Sequence, residues 1–174
     1  MNLDRNLLVK KACSGDAEAF GELYEIYAND LYRYACYILR SRRQAQDAVQ
    51  DAVCAAFSQI GSLRSPEAFK AWLFKILSNV CNKHIAELVR ERNTLSLDEG
   101  YIKLPGAPET EVETTCDMKE AFDCLDAQER QIVLLSAVEG YTSREVSLIL
   151  GIPAGTVRSK LSRALKKMRN ELMQ

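Results

Sequence analysis

With 174 residues, 47% of them apolar and 27% charged, and a formal net charge of −1, the chain has the composition of an ordinary folded protein with room for one domain or two small ones, which excludes global disorder. No stretch approaches the about 20 apolar residues of a membrane span, and the opening MNLDRNLLVKKACSG has too short an apolar core for a secretory signal, so the chain reads as cytoplasmic. The near-neutral mean argues against indiscriminate coating of nucleic acid but conceals a segregation: residues 1–92 hold 13 basic and 11 acidic side chains, 93–117 hold one and six, and 151–174 hold six and one.

Residues 4–13 read as a short first helix with Leu7 and Leu8 as its apolar contacts, broken at Ser14-Gly15-Asp16. Asp16 suits the N-cap of a second helix running to about Arg40. Its apolar set, Phe20, Leu23, Tyr24, Tyr27, Leu31, Tyr34, Ala35 and Ile38, recurs at three and four residues, the spacing of a core-facing stripe. After a corner at Ser41-Arg42-Arg43, a third helix from about Gln44 to Ile60 buries Ala45, Ala48, Val49, Ala52, Val53, Ala56, Phe57 and Ile60. It turns Gln46, Asp47, Gln50 and Asp51 outward, either as solvated surface or as a docking edge for a basic partner.

Ser65-Pro66-Glu67 opens a fourth helix with a cap, a proline in the first turn and an acid near the positive helix end. That helix extends to about Arg92, with Phe69, Trp72, Leu73, Ile76, Leu77, Val80, Ile85 and Leu88 inward. Its outward face, with Lys70, Lys75, Asn79, Asn82, Lys83, His84, Arg90 and Arg92, is compatible with nucleic acid, because asparagine can read adenine and cations hold phosphates. The periodicity stops over 93–115, where two prolines, two glycines and an acidic excess read as a flexible linker.

Met118, Ala121, Phe122 and Leu125, then Ile132, Val133, Leu135 and Val138, begin a second helical unit closed by Gly140. Thr142 with Glu145 makes a capping box for a short helix with Val146, Ile149 and Leu150 inward; Gly151 ends it in the left-handed conformation, and Pro153 opens the next. From there Val157, Leu161, Ala164, Leu165, Met168 and Leu172 form one apolar face, and Arg158, Ser159, Lys160, Ser162, Arg163, Lys166 and Lys167 the opposite one. Such a pair suggests a helix-turn-helix whose second helix fits the major groove of DNA, the alternative being a charged face that only keeps a surface helix solvated. The fold class is therefore all-α, two small helical domains joined by an acidic linker, the second a helix-turn-helix.

The six cysteines and the single histidine, His84, show no CxxC pair and no metal-ligand spacing. Cys36, Cys54, Cys81 and Cys124 lie inside helical patterns and read as reduced, mostly buried small hydrophobes, so no zinc site, disulfide or cofactor is assigned.

Over nearly its whole length the chain resembles the bacterial RNA polymerase sigma factors of the small, two-domain extracytoplasmic-function (ECF) type. In the first half the resemblance rests on GDAEAF (15–20), LYEIYANDLYRYACYIL (23–39), AQDAVQDAV (45–53) and AFKAWLFKILSN (68–79), and in the second on residues 125–169. It implies a region 2-like domain over 1–92, a linker over 93–115 that threads the polymerase, and a region 4-like domain over 116–174. It further implies that Asp47, Gln50 and Asp51 touch core RNA polymerase, and that Arg64, Ser65, Asn79, Asn82 and Lys83 capture the unpaired minus-ten strand. Thr156, Arg158, Ser159, Lys160, Ser162, Arg163, Lys166 and Lys167 then read the minus-thirty-five element.

The function implied is non-enzymatic: a factor, monomeric when free, that directs core polymerase to promoter DNA and is itself held by an anti-sigma factor. The chain departs from the family pattern at Lys83 and Ala86, where many members carry an acid and an arginine, and at Asp126, where many carry proline. A stand-alone dimeric regulator using the same helix-turn-helix is the alternative reading; a recombinase or nuclease lacks a nucleophile motif or paired metal-binding carboxylates to support it.

Overall fold

Side-chain caps on the backbone N–H groups open the second and third helices, and left-handed residues close several helices. The structure, a computed structural model, describes residues 2–95 and 121–173, and these are helical with no strand among them. Helix α1 (Asn2–Cys13) ends where Ser14 and Gly15 turn back on its last carbonyls. Asp16 then caps α2 (Ala17–Leu39) by accepting the backbone N–H groups of Glu18 and Ala19 at 3.0 Å each. At its other end Arg40 takes the left-handed conformation, φ 55°, and donates its backbone N–H to the Cys36 carbonyl at 2.9 Å. An L-residue pays about 1–2 kcal/mol for that conformation. The Arg40 guanidinium offsets part of it through a 2.7 Å ion pair with Asp123.

Helix α3 (Arg42–Gln59) starts two residues earlier than its apolar pattern suggests, because Ser41 accepts the Gln44 N–H and draws Arg42 and Arg43 into the first turn. A short 3-10 turn, Ile60–Ser62, and another, Pro66–Ala68, lead into α4 (Phe69–Leu95). Ser65 does not cap this start; its hydroxyl donates instead to the Glu67 carboxylate at 2.6 Å, which holds that acid below the usual carboxylate range. Helix α4 continues to Leu95, three residues into the expected linker, whose remainder lies outside the described residues together with Cys116 and Met118.

In the first domain α2 packs on α1, α3 and α4, and α3 packs on α4. The small residues of α3 do what their size requires: Ala45, Ala48, Ala52 and Ala56 are completely buried against neighbouring helices. Helix α2 buries more than one stripe, since Ala19, Cys36 and Leu39 join the expected set while Tyr24 and Tyr27 are only half-buried. Tyr34 and Ser78 share a 2.8 Å hydrogen bond inside the core, satisfying two hydroxyls that burial would otherwise penalise.

Four expectations about burial are corrected here. Val9 and Ala12, not Leu7, anchor α1, and Leu7 is 56% exposed. Phe57 is 49% exposed and packs edge-on to Phe20 at the rim. Cys54 is exposed and Cys124 half-buried, whereas Cys81 is buried so fully that its thiol is pushed up to about 12. Phe74 and Ser78 are buried on α4 beyond the single face predicted for it, because α4 is covered on two sides.

The second cover is the C-terminal domain. Residues 121–123 are helical, Asp126 caps α5 (Ala127–Val133) in a full capping box with Glu129, and a wide π turn, Leu134–Val138, follows. That turn leaves Val138 46% exposed. Helices α6 (Ser143–Leu150) and α7 (Ala154–Leu172) complete the domain, α5 and α6 both packing on α7. Helix α6 also packs on α4, and α5 on α2, so one apolar cluster runs through both domains.

Candidate nucleic-acid interface

The helix-turn-helix is built as its sequence dictates. Thr142 Oγ1 accepts the Glu145 N–H at 3.4 Å, and Glu145 Oε2 accepts the Thr142 N–H at 2.7 Å, a reciprocal cap that holds the Glu145 carboxyl below its usual range. Gly151 ends α6 at φ 68°, donating to the Ser147 carbonyl at 2.9 Å. Pro153 stands one place before α7, at the N-cap position, and its extended backbone turns the chain into the helix.

Along α7 the inward face narrows to Val157 and Ala164, both fully buried, with Leu161 and Met168 packed partly against the core. Leu165 and Leu172, expected on the same apolar face, are instead 44% and 54% exposed. On the opposite face Arg158, Ser159, Ser162, Arg163 and Lys166 are exposed, with Thr156 and Lys160 half-buried beside them. Ser159 Oγ donates to the Thr156 carbonyl at 3.1 Å, and Arg163 Nε donates to the Ser159 carbonyl at 3.3 Å, so both lie along the helix surface. Five exposed side chains on one helical ridge, three of them cationic, match what a major groove offers: base-edge acceptors and flanking phosphates.

Lys167 does something else. Its ammonium donates to both oxygens of Glu129 at 2.7 and 2.8 Å, which ties α7 to the first turn of α5 and raises the lysine's affinity for its proton. Glu129 is simultaneously the return arm of the Asp126 capping box, so a largely buried carboxylate serves two partners.

The first domain presents two surfaces. On α3, Asp47, Gln50 and Asp51 are all exposed along one ridge. Gln50 stands at the edge of a groove of about 670 Å³ between α2 and α3, floored by Val49 and Val53 and walled by Tyr24 and Tyr32. Asp47 borders a second groove of about 450 Å³ toward α4. Asp51 pairs with His84 Nε2 at 3.2 Å, joining the α3 ridge to α4. On α4 and the loop before it, Arg64, Ser65, Asn79, Asn82 and Lys83 are exposed. Lys83 lies 3.8 Å from Glu87, a solvent-facing pair of small energetic weight.

Only part of this set stands open. Asn82 Oδ1 accepts a hydrogen bond from Gln131 Nε2 of the second domain at 2.9 Å. Gln131 and Glu139, which hold this seam, escape a reading of the sequence, and Lys70, read there as an outward cation, pairs with Glu139 at 2.8 Å. Among the described residues no group of His, Cys, Asp and Glu side chains is placed to hold a metal ion, and no helix is long and apolar enough to cross a membrane.

Comparison with known proteins places this arrangement. The sigma-70 region 2 family matches residues 23–91, and the sigma-70 region 4 family matches residues 117–168. The chain is 31% identical over 156 residues to the ECF RNA polymerase sigma factor SigM of Mycobacterium tuberculosis, covering 89% of this chain and 78% of that one. It is 30% identical over 146 residues to RNA polymerase sigma factor SigV of Bacillus subtilis, covering 84% and 86%. In fold it is similar to the sigma factor RpoE of Bartonella quintana, solved with the anti-sigma factor NepR, at a TM-score of 0.76, 24% identity and coverage of 90% and 98%. It is similar also to CnrH, solved with the cytosolic domain of CnrY, at a TM-score of 0.69, 24% identity and coverage of 97% and 96%. With both family matches in order along one chain and a relative at 31% identity over most of its length, the protein belongs to the ECF RNA polymerase sigma factors.

Proposed function

We propose that this sigma factor works in the cytoplasm, without catalytic chemistry of its own, as two promoter-reading modules lent to core polymerase. The α3 ridge of Asp47, Gln50 and Asp51, with the apolar groove beside Gln50, docks on the polymerase. Arg64, Ser65, Asn79, Asn82 and Lys83 take the unpaired minus-ten strand. The exposed ridge of α7 reads the minus-thirty-five element, with Arg158 and Arg163 directed to base edges or phosphates and Lys166 to phosphate. Residues 1–92 and 116–174 are the two functional units, and 93–115 is their connection inside the polymerase. The observation that carries the reading is the one-sided charge of α7 opposite the buried Val157 and Ala164.

Unpairing a base costs a few kcal/mol, and stacking or pocketing it returns a comparable amount per base, so this chain alone opens no promoter. Core polymerase supplies the remainder and performs the chemistry. Because the RpoE and CnrH structures pair those proteins with NepR and CnrY, an anti-sigma partner is proposed for this chain as well.

Run-off transcription with core polymerase on genomic fragments, beginning with the DNA upstream of this chain's own coding sequence, is the test. Start sites should appear with the wild-type chain, fade about tenfold or more with Arg158→Ala while core binding persists, and fade with Asp51→Ala through lost core binding. A purified chain that footprints the promoter unaided at physiological salt, with Asp51→Ala indifferent, would establish the stand-alone regulator instead.

A further inference from the structure

Between the turns Ile60–Ser62 and Pro66–Ala68 the backbone runs without a helix of its own, and side chains hold it in place. Ser62 Oγ donates to the Gln59 carbonyl at 2.7 Å, and Cys13 Sγ of α1 donates to the Ile60 carbonyl at 3.3 Å. At the far end a single carboxylate does the holding. Glu67 Oε2 accepts from Ser65 Oγ at 2.6 Å, while Glu67 Oε1 accepts from Asn6 Nδ2 of α1 at 3.2 Å. The Ser65 hydroxyl foremost, then the Glu67 backbone N–H, and beyond them the Lys10 cation favour the ionised form of that carboxyl. Helix α1 packs on both turns, and it lies outside the two family matches, the first of which begins at residue 23.

A serine hydroxyl carries one proton to donate and lone pairs with which to accept. Here the proton of Ser65 is committed to a carboxylate, a charge-assisted bond of the strong kind, and the exposed Oγ keeps only its accepting capacity. We propose that Glu67, seated by Asn6, is a positioning residue that sets base preference: it makes Ser65 an obligate acceptor, so the loop selects adenine or cytosine over guanine or thymine in the unpaired strand. The inference rests on the function proposed above, in which Arg64 and Ser65 take that strand. Adenine and cytosine present an exocyclic amine where guanine and thymine present a carbonyl oxygen. An amine donates to Ser65 Oγ with the Glu67 bond intact. A carbonyl meets lone pair against lone pair unless the hydroxyl abandons Glu67, which then loses a partner. Without Glu67 the hydroxyl turns to donate or accept and takes either class of base.

The test is run-off transcription with core polymerase on templates in which each position of a mapped minus-ten element carries each base in turn. It compares the full-length wild type, Glu67→Ala, Asn6→Ala, Ser65→Ala and the double variant Glu67→Ala with Ser65→Ala. Wild type should show one position at which adenine or cytosine outperforms guanine and thymine several-fold. Glu67→Ala should lose that preference while its affinity for core polymerase and its base profile elsewhere in the element stay unchanged. Asn6→Ala should lose part of it. The double variant should match Ser65→Ala, because the carboxylate acts only through the hydroxyl. A purely structural role for Glu67 would lower output equally on every template, and that result overturns the proposal. So does a wild type without such a position, or a Glu67→Ala chain that keeps the preference. Absent starts with wild type refute the sigma-factor reading itself, whereas normal starts with an unchanged profile in Glu67→Ala refute the role of Glu67 alone.

Discussion

Lys167 Nζ lies 2.7 and 2.8 Å from the two carboxylate oxygens of Glu129, and through that contact the recognition helix is fastened to the helix that opens its domain. The two neighbouring lysines of α7 therefore divide their work. Lys166→Ala should remove one phosphate contact, weaken promoter binding by holoenzyme on every sequence and reduce the slope of log K against log salt by about 1, with an unchanged melting temperature. Lys167→Ala should instead lower the melting temperature. The pairing raises the lysine's pKa, so its contribution is fully present below the unfolded value of about 10.4 and is lost only as pH rises through the higher folded value. The melting difference between wild type and Lys167→Ala should thus be flat across neutral pH and close in strong alkali.

The α6 cap responds at the other end of the scale. Thr142→Ala should cost about 1 kcal/mol of second-domain stability, read by chemical denaturation. The Thr142 contacts lower the Glu145 pKa, so the stabilisation they give is present above the unfolded value of about 4.3 and is lost as pH falls through the lower folded value. An acid titration of stability should accordingly be shallower in Glu145→Gln than in wild type.

Inside the first domain, Tyr34→Phe should cost about 1–3 kcal/mol by stranding the Ser78 hydroxyl in a fully packed core. Ser78→Ala should cost a similar amount. Removing both hydroxyls together should cost less than the sum, and the difference in a double-mutant cycle measures the coupling between α2 and α4.

At the turn of the helix-turn-helix, Gly151 has φ 68° and open space where a Cβ would stand. Gly151→Ala therefore meets backbone strain without a clash, and should destabilise the domain by about 1–2 kcal/mol, with Gly151→Asn costing less. Equal denaturation midpoints for the three chains would show that the turn relaxes out of the left-handed conformation.

What the amino-acid order determined by itself was local. The Asp16 cap, the Thr142 and Glu145 box, the left-handed Gly151 and the alanine seam of α3 follow from contacts within a few residues or from a 3.6-residue period, and all are legible because the physics is complete within one helix or one turn. The resemblance of both halves to one family was legible too, but from the motifs at 15–20, 23–39, 45–53, 68–79 and 125–169 rather than from that local physics. Tertiary structure decided everything that depends on a second helix arriving. It buried Phe74 and Ser78 on α4 outside the predicted inward stripe, withdrew Lys167 from the cationic ridge by offering it Glu129, and left Leu165 and Leu172 of the predicted apolar face exposed. Above all it brought Glu139 to Lys70 and Gln131 to Asn82. Neither pair has a spacing that a sequence pattern can encode, since 69 residues separate the first and |i−j| is 49 for the second; only the packing of α6 on α4 and of α5 on α2 makes them neighbours.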